Sequence, residues 1–345
     1  MCFHRVTPLL LLLGSLSFSD NLPSTGSANQ PSSEEQSNLD QLSGKLNGAL
    51  VWSTSRVNPR HDLWIMSADG KGAKALTQGD PVDWFPRISP DGKWVLFNRS
   101  NAGWVPETDA DQPDKWDLWI IGIDGQGERK ILDKATWGTW RPNGADIVFS
   151  RAGKVFLMNL ESKTETPLLD GTIVWDKNVI LQEPNMSPDG LFLAITLRGS
   201  QRETGIWDLT KKTWQVSGEG CQIDWVLGGK AIYRVNSTGN GGSAAPSEIL
   251  QFPFENGKQV GKVGFFGVPK EHRLMDLPGR RSHEYFPRLD NTGKWMVWGA
   301  TDRGHDHDIY DYEIYLWQLG TPITKAIRMT YHSGNDRWPD LWLAK

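Results

Sequence analysis

The sequence predicts an all-β fold: a six-bladed β-propeller of four-stranded antiparallel blades, closed by pairing of the C-terminal inner strand with the first blade. Residues 84–97, reading Trp-Phe-Pro-Arg-Ile-Ser-Pro-Asp-Gly-Lys-Trp-Val-Leu-Phe, return as residues 285–298, Tyr-Phe-Pro-Arg-Leu-Asp-Asn-Thr-Gly-Lys-Trp-Met-Val-Trp. A second phrase, such as Asp62-Leu63-Trp64-Ile65-Met66, recurs six times, whereas the first has five internal copies. The first unit opens at Gly48 without an inner strand, and the chain ends on one, residues 335–343, that has no successors. Repeats of about 40–60 residues with four strands each are the pattern of a propeller, and sharing one unit between the termini removes open sheet edges. A solenoid leaves the divided unit unexplained.

From the N-terminus, residues 1–19 read as a secretory signal peptide. Arg5 precedes a leucine-rich stretch too short to span a bilayer, and Ser17 and Ser19 are the small residues before a cut after Ser19. Residues 20–46 carry too few apolar groups to offset the entropy of ordering and read as a flexible linker. Residues 47–345 then form one large propeller domain. The protein is expected to be periplasmic or secreted, with no membrane insertion after signal removal.

Within the domain, Asp91-Gly92 joins two strands through a tight turn, because glycine tolerates the positive φ such turns need. Asn291-Thr292-Gly293 does the same in the second strong copy. Weaker copies start at Trp140, Pro184 and Asp224, and the third-strand phrase follows at 62–70, 117–125, 154–160, 205–209, 248–252 and 313–317.

Residues 62–77, 85–97, 184–195 and 286–298 resemble the repeats of the TolB-like propeller family. The shared pattern is aromatic-Pro, then Ser-Pro-Asp-Gly, a strand, an acidic residue before Leu or Ile and an aromatic, and finally Leu-Thr, here Leu76-Thr77. The resemblance covers residues 48–345 and implies the propeller fold and a protein or peptide partner in the cell envelope. Residues 20–46 are too short and too polar to form the α/β domain that precedes the propeller in TolB.

The net charge of −4 and a pI near 6.0 supply no basic footprint for nucleic acid. Cys221 has no partner in the mature chain and is expected to pack as a small apolar residue. Most of the eighteen tryptophans fall in second and third strands, where they pack between blades. Trp104, Trp137, Trp140 and Trp175 fall in loops or at the starts of inner strands, so any exposed aromatic platform for a saccharide would come from these four.

Loops leading into inner strands and loops joining second to third strands emerge on one face of a propeller. Long insertions at 99–115 and 301–311 are of the latter kind, and a third, 236–247, is Gly/Ser-rich. The segment 305–313 concentrates possible metal ligands: Asp306, Asp308 and Asp311 suit a Ca-like cation, and His305 and His307, with His283 and His332 nearby, suit a transition metal. The alternative is that the acids occupy the repeat's usual position before the third strand and the histidines are solvated. A divalent cation is therefore a candidate cofactor, with none required. At the channel mouth, Asp83, Asp224, Glu284 and Asp336 are read as equivalent positions, with Arg87, Arg141, Arg288 and Arg337 close by, to bind a polar ligand or pair across blades. With Trp104 and Trp140 they form the candidate ligand site. No Gly-x-Ser-x-Gly elbow and no phosphate-cradling loop is present. The reading favours a non-catalytic binding propeller. The alternative is a metal-dependent lyase or hydrolase acting on a saccharide, with the histidines as ligands.

Overall fold

The computed structural model describes residues 29–345 except 58, 111, 238–245, 262–269, 305 and 345, and, for 108 and 237, the backbone alone. The expected signal peptide, most of the Gly/Ser-rich insertion and His305 lie outside the described residues.

Six antiparallel sheets, five of four strands and one with a fifth strand added, surround a central axis, and in blades 2 to 6 the four strands of the blade follow in sequential order from the inside out. Blade 2 runs Asp83–Ile88, Trp94–Ser100, Trp116–Gly122 and Arg129–Leu132, and blade 3 runs Thr136–Trp140, Asp146–Arg151, Lys154–Asn159 and Glu165–Asp170. Blade 4 is Val179–Met186, Phe192–Gly199, Glu203–Asp208 and Thr213–Gly218. Blade 5 is Cys221–Trp225, Ala231–Ser237, Ser247–Glu255 and Lys258–Gln259, with Arg273–Met275 added against its third strand. Blade 6 is His283–Leu289, Trp295–Thr301, Glu313–Gln318 and Ile327–Arg328.

Blade 1 closes the ring. Its inner strand is Asp336–Leu343, paired antiparallel with Gly48–Thr54, which pairs in turn with Asp62–Ser67. The expected division of one unit between the two ends of the repeat region is the observed one.

The repeated turn works as its chemistry requires. The Ser89 hydroxyl donates to Asp91 at 2.6 Å and accepts from the Trp94 amide at 3.0 Å, fixing the turn around Gly92. Gly92 has φ +72°, and a Cβ there would meet the Trp342 ring at 2.5 Å. In blade 6, Asp290 replaces the Ser/Asp pair by accepting the amides of Lys294 and Trp295, each at 2.8 Å.

Blade faces pack on one another through apolar clusters. Trp207, Trp298 and Trp317 are buried, while Trp64, Trp119 and Trp295 lie half-buried against neighbouring blades. None of the four tryptophans expected to supply an exposed platform is exposed. Trp137 is buried, Trp104 stacks on His61, Trp140 donates Nε1 to the Arg87 carbonyl and Trp175 packs edge-on against Trp214.

The stretch read as an unstructured linker contains a helix, α1, Ser33–Leu42, with a capping box between Ser32 and Glu35. Sparse apolar content does not forbid order here, because the helix borrows a core it does not build. Leu42 is buried and, with Leu39 and Leu46, joins the cluster around Leu50, Leu316 and Met329. The Asn29 amide bonds to the Tyr331 carbonyl at 2.9 Å and the Gly44 amide to Asp69 at 2.9 Å, so the segment lies across the junction of blades 6 and 1. Leu42→Ala is expected to cost about 2 kcal/mol of local docking energy. Limited proteolysis should then cut near α1 sooner, while the main thermal transition moves little.

Candidate functional site

Each inner strand breaks register once, and at each break one non-glycine residue takes a left-handed conformation. The six are Phe85 (φ 54°), Trp137 (57°), Glu183 (52°), Gln222 (56°), Phe286 (62°) and Trp338 (52°). Such a bulge costs about 1–2 kcal/mol per residue, and its occurrence in every blade makes it the device that sends one side chain per blade towards the axis. Trp338 of blade 1 meets Phe85 of blade 2 at 5.1 Å, Trp137 of blade 3 at 5.6 Å and Phe286 of blade 6 at 4.3 Å between ring centroids. Four aromatics thus plug one arc of the channel. Glu183 and Gln222, from adjacent blades 4 and 5, complete the ring with polar groups.

On one side of this ring the channel is filled by charge. The Arg87 guanidinium lies 3.6 Å from the Phe85 ring centroid, and Arg288 pairs with both Asp224 and Asp340. On the other side the channel opens into a cavity of about 1040 Å³, lined among others by Trp137, Glu183, Arg198, Gln222 and Trp338.

Two long second-to-third-strand loops wall this cavity. The blade 2 loop carries Glu107, and the blade 6 loop carries His307 and Asp308. Glu107 takes a 2.6 Å contact from His307 Nδ1 and accepts from Arg337 at 2.9 Å and Trp338 Nε1 at 3.1 Å. Asp308 accepts from Arg337 at 2.7 Å and from the Glu107 amide at 2.9 Å. Loops from blades 2 and 6 are therefore latched through a buried arginine of blade 1. Burial alone would raise the Glu107 carboxyl, but His307, Arg337 and Trp338 outweigh it and hold it at about 2. For Asp308 burial prevails, and its carboxyl is raised despite Arg337.

Glu183 is the other notable acid. It is 5 % exposed, and among the described residues its carboxylate accepts no hydrogen bond. Burial pushes it up to about 8, against the opposing pull of Arg87. Cys221 packs beside the aromatic cluster and borders the cavity, and burial raises its thiol to about 12, which disfavours the thiolate.

The structure brings together only some of the residues singled out from sequence. Trp104, His283, Asp306, His307 and Asp308 line the cavity, and Arg337 anchors its wall. Asp311 faces away to pair with Arg281 at 2.8 Å, and His332 accepts the Gly334 amide at 2.9 Å outside the cavity. Among the described residues, no three His, Cys, Asp or Glu side chains converge into a group able to hold a metal ion.

Asp83, Glu284 and Asp336 do share one repeat position, two residues before the ring, but they are buried within blades. Asp83 grips Arg99 with two contacts of 2.7 Å, Asp336 pairs with Arg56 at 2.7 Å, and Glu284 accepts the Leu277 amide at 2.7 Å. Asp224 is not their equivalent: it lies two residues after the ring position, in the layer of Arg87 and Arg288 beyond the aromatic plug. Trp140 sits with that layer. The cavity residues that sequence reasoning passed over include Glu107, Glu183, Arg198, Gln222 and Trp338. Glu183 was legible: in Phe85-Pro86, Glu183-Pro184, Phe286-Pro287 and Trp338-Pro339 the ring residue directly precedes proline.

No family model matches the chain. A curated, uncharacterised protein of Agrobacterium fabrum is 28% identical over 145 residues, which cover 37% of this chain and 44% of that protein. The chain thus spans under half the length of this relative. Among solved structures, TolB from Acinetobacter baumannii superposes with a TM-score of 0.59 at 13% identity, over 86% of this chain and 67% of that one. A TolB-type protein from Agrobacterium tumefaciens superposes with a TM-score of 0.51 at 14% identity, over 87% of this chain and 100% of its own. The fold is that of a TolB-like propeller.

Proposed function

We propose that this chain is an exported, non-catalytic propeller that binds a protein or peptide partner of the cell envelope through the face bearing the 99–115 and 301–311 loops. One observation carries this reading: a large axial cavity opens on that face, floored by Trp137 and Trp338 of the aromatic plug and walled by two loops held in place by the Glu107–Arg337–Asp308 latch. A pre-formed concave site with an apolar floor and a few polar groups suits an inserted segment of a partner. The TolB-like fold and the secretory N-terminus expected from the sequence support an envelope location. Among the described residues no helix is long and apolar enough to cross a membrane.

Photo-crosslinking in envelope preparations tests the reading. A crosslinker replacing Ile309, exposed on the loop face, should give a discrete adduct, whereas one replacing Leu191 or Leu227, exposed on inner-to-second-strand turns of the opposite face, should not. Adducts from the opposite face only would reverse the assignment. Metal analysis adds a second arm, since a stoichiometric transition metal lost in a His283→Ala, His307→Ala double variant would favour the lyase or hydrolase reading.

A further inference from the structure

We infer that the polar break in the axial ring is a subsite for an organic cation, an ammonium or guanidinium group borne by a peptide, received by the Glu183 carboxylate in a cavity also lined by the indoles of Trp137 and Trp338. This rests on the cavity being the binding site proposed above and specifies the chemistry it selects.

Glu183 is the observation that points to a ligand. Buried carboxylates ordinarily find donors, and the others near the loop face do: Glu107 has His307, Arg337 and Trp338, Glu284 has the Leu277 amide and, at 3.4 Å, the Ser247 hydroxyl, and Glu313 has Arg328, Thr330 and His332. Among the described residues Glu183 has none, yet it borders the cavity. The cations in its vicinity are committed elsewhere. Arg198 donates to the carbonyls of Leu197 at 2.8 Å and Gly220 at 2.7 Å. Arg87 donates to the Pro86 carbonyl at 2.8 Å and lies on Phe85, and Arg288 is held by Asp224 and Asp340.

Sign and shape both favour a cation over an anion. The cavity lining contributes Glu107, Asp302, Asp306 and Asp308 besides Glu183, against Arg198 and Arg303 in the lining, Arg337 shared by Glu107 and Asp308, and Arg280 on Asp302, so acid remains in excess. Aromatic faces beside a desolvated carboxylate attract a cation through charge and ring quadrupole together. A lysine, an arginine or the first residue of a chain also supplies an apolar stem to lie along the aromatic floor.

The test is titration of the whole propeller with five blocked or unblocked tripeptides, followed by calorimetry and tryptophan fluorescence. Ac-Ala-Lys-Ala-NH2, Ac-Ala-Arg-Ala-NH2 and unacetylated Ala-Ala-Ala-NH2 present the cation on a side chain or at the N-terminus. Ac-Ala-Ala-Ala-NH2 and Ac-Ala-Glu-Ala-NH2 are the neutral and acidic controls. At least one cationic probe should bind about tenfold or more tightly than both controls, and which one does so identifies the source of the cation. Glu183→Gln should remove that preference. Gln already occupies the equivalent left-handed position at Gln222, so the variant should fold, and an unchanged thermal midpoint would verify this. Because the cation needs the ionised carboxylate, affinity for the lysine or arginine probe should rise about tenfold per pH unit below about 8 and level off above it, whereas affinity for the unacetylated probe, whose α-amino group itself titrates at about 8, should pass through a maximum there and fall again. The charged or titratable groups around Glu183 are Arg198, Arg87, Arg288, Glu107 and Cys221, and a slope that persists in Glu183→Gln would assign the titration to one of these instead.

Equal binding of the controls, retained preference in Glu183→Gln, or no binding of any probe at millimolar concentration would each overturn the inference. Loss of the cation preference with the Ile309 crosslink retained would remove the subsite but leave the loop-face reading standing. Cation binding without that crosslink would do the reverse.

Discussion

Deletion of residues 334–345 is expected to abolish the folded propeller rather than shorten it. The segment contains the innermost strand of blade 1, and of Asp336–Leu343 only Trp342 is not fully buried. It pairs with Gly48–Thr54, supplies Trp338 to the axial plug and Arg337 to the loop latch, and places Asp336 against Arg56 and Trp52 Nε1. Loss of a buried tryptophan alone costs about 3–5 kcal/mol. Removing the strand adds an open sheet edge, leaves Arg56 without Asp336, and leaves Glu107 and Asp308 without Arg337, with only His307 beside Glu107 to offset them. Against a total stability of about 5–15 kcal/mol, the sum leaves no folded state. Circular dichroism should show no cooperative melting transition, and gel filtration an expanded or aggregated species. Deletion of residues 1–46, by contrast, should leave the transition in place, because α1 docks on a core that others complete. A cooperative transition near that of the intact protein after loss of the C-terminal strand would refute the closure argument.

The blade architecture was readable because a propeller repeats its instructions. Asp91-Gly92 and Asn291-Thr292-Gly293 specify the same turn, and the unmatched strands at the two ends imply their own pairing. Helix α1 was hidden for a different reason. Its two useful apolar residues, Leu39 and Leu42, mean little in isolation and acquire value only against Met329 and Leu316 of a neighbouring blade. The site was half legible. Long loops at 99–115 and 301–311 marked the face on which the axial cavity opens, but the residues that fill the channel depend on a one-residue bulge. A frame taken from Pro184 onwards omits Glu183 by one position, and a frame that equates Asp224 with Asp83 places it on the wrong side of the aromatic plug. Composition cannot reveal such offsets, whereas aligning the copies on the residue before proline does. Nor can the sequence show that Glu107 and Asp308, two hundred residues apart, share Arg337.

Arg337→Met should be the most damaging single substitution in the loop latch, and its cost should depend on pH. The side chain is 1 % exposed and carries the positive charge between Glu107 and Asp308. A methionine fills similar volume but leaves two buried carboxylates facing each other with only His307 to offset them. Breaking a buried ion pair from one side costs about 3–5 kcal/mol at neutral pH. In the intact protein Glu107 has a folded pKa of about 2, below its unfolded value near 4.3. Its contribution is therefore fully present above about 4.3 and lost as pH falls towards about 2. Without Arg337, its folded pKa rises and that of Asp308 rises further, so both carboxyls can neutralise before either is lost as an acceptor. Denaturant titrations from pH 7 to pH 4 should show the penalty of Arg337→Met shrinking as pH falls, and adding Glu107→Gln and Asp308→Asn should recover part of it at pH 7. A penalty independent of pH, or no recovery in the triple variant, would mean that Arg337 acts through packing alone. The charge balance between blades 1, 2 and 6 would then play no part in holding the cavity walls.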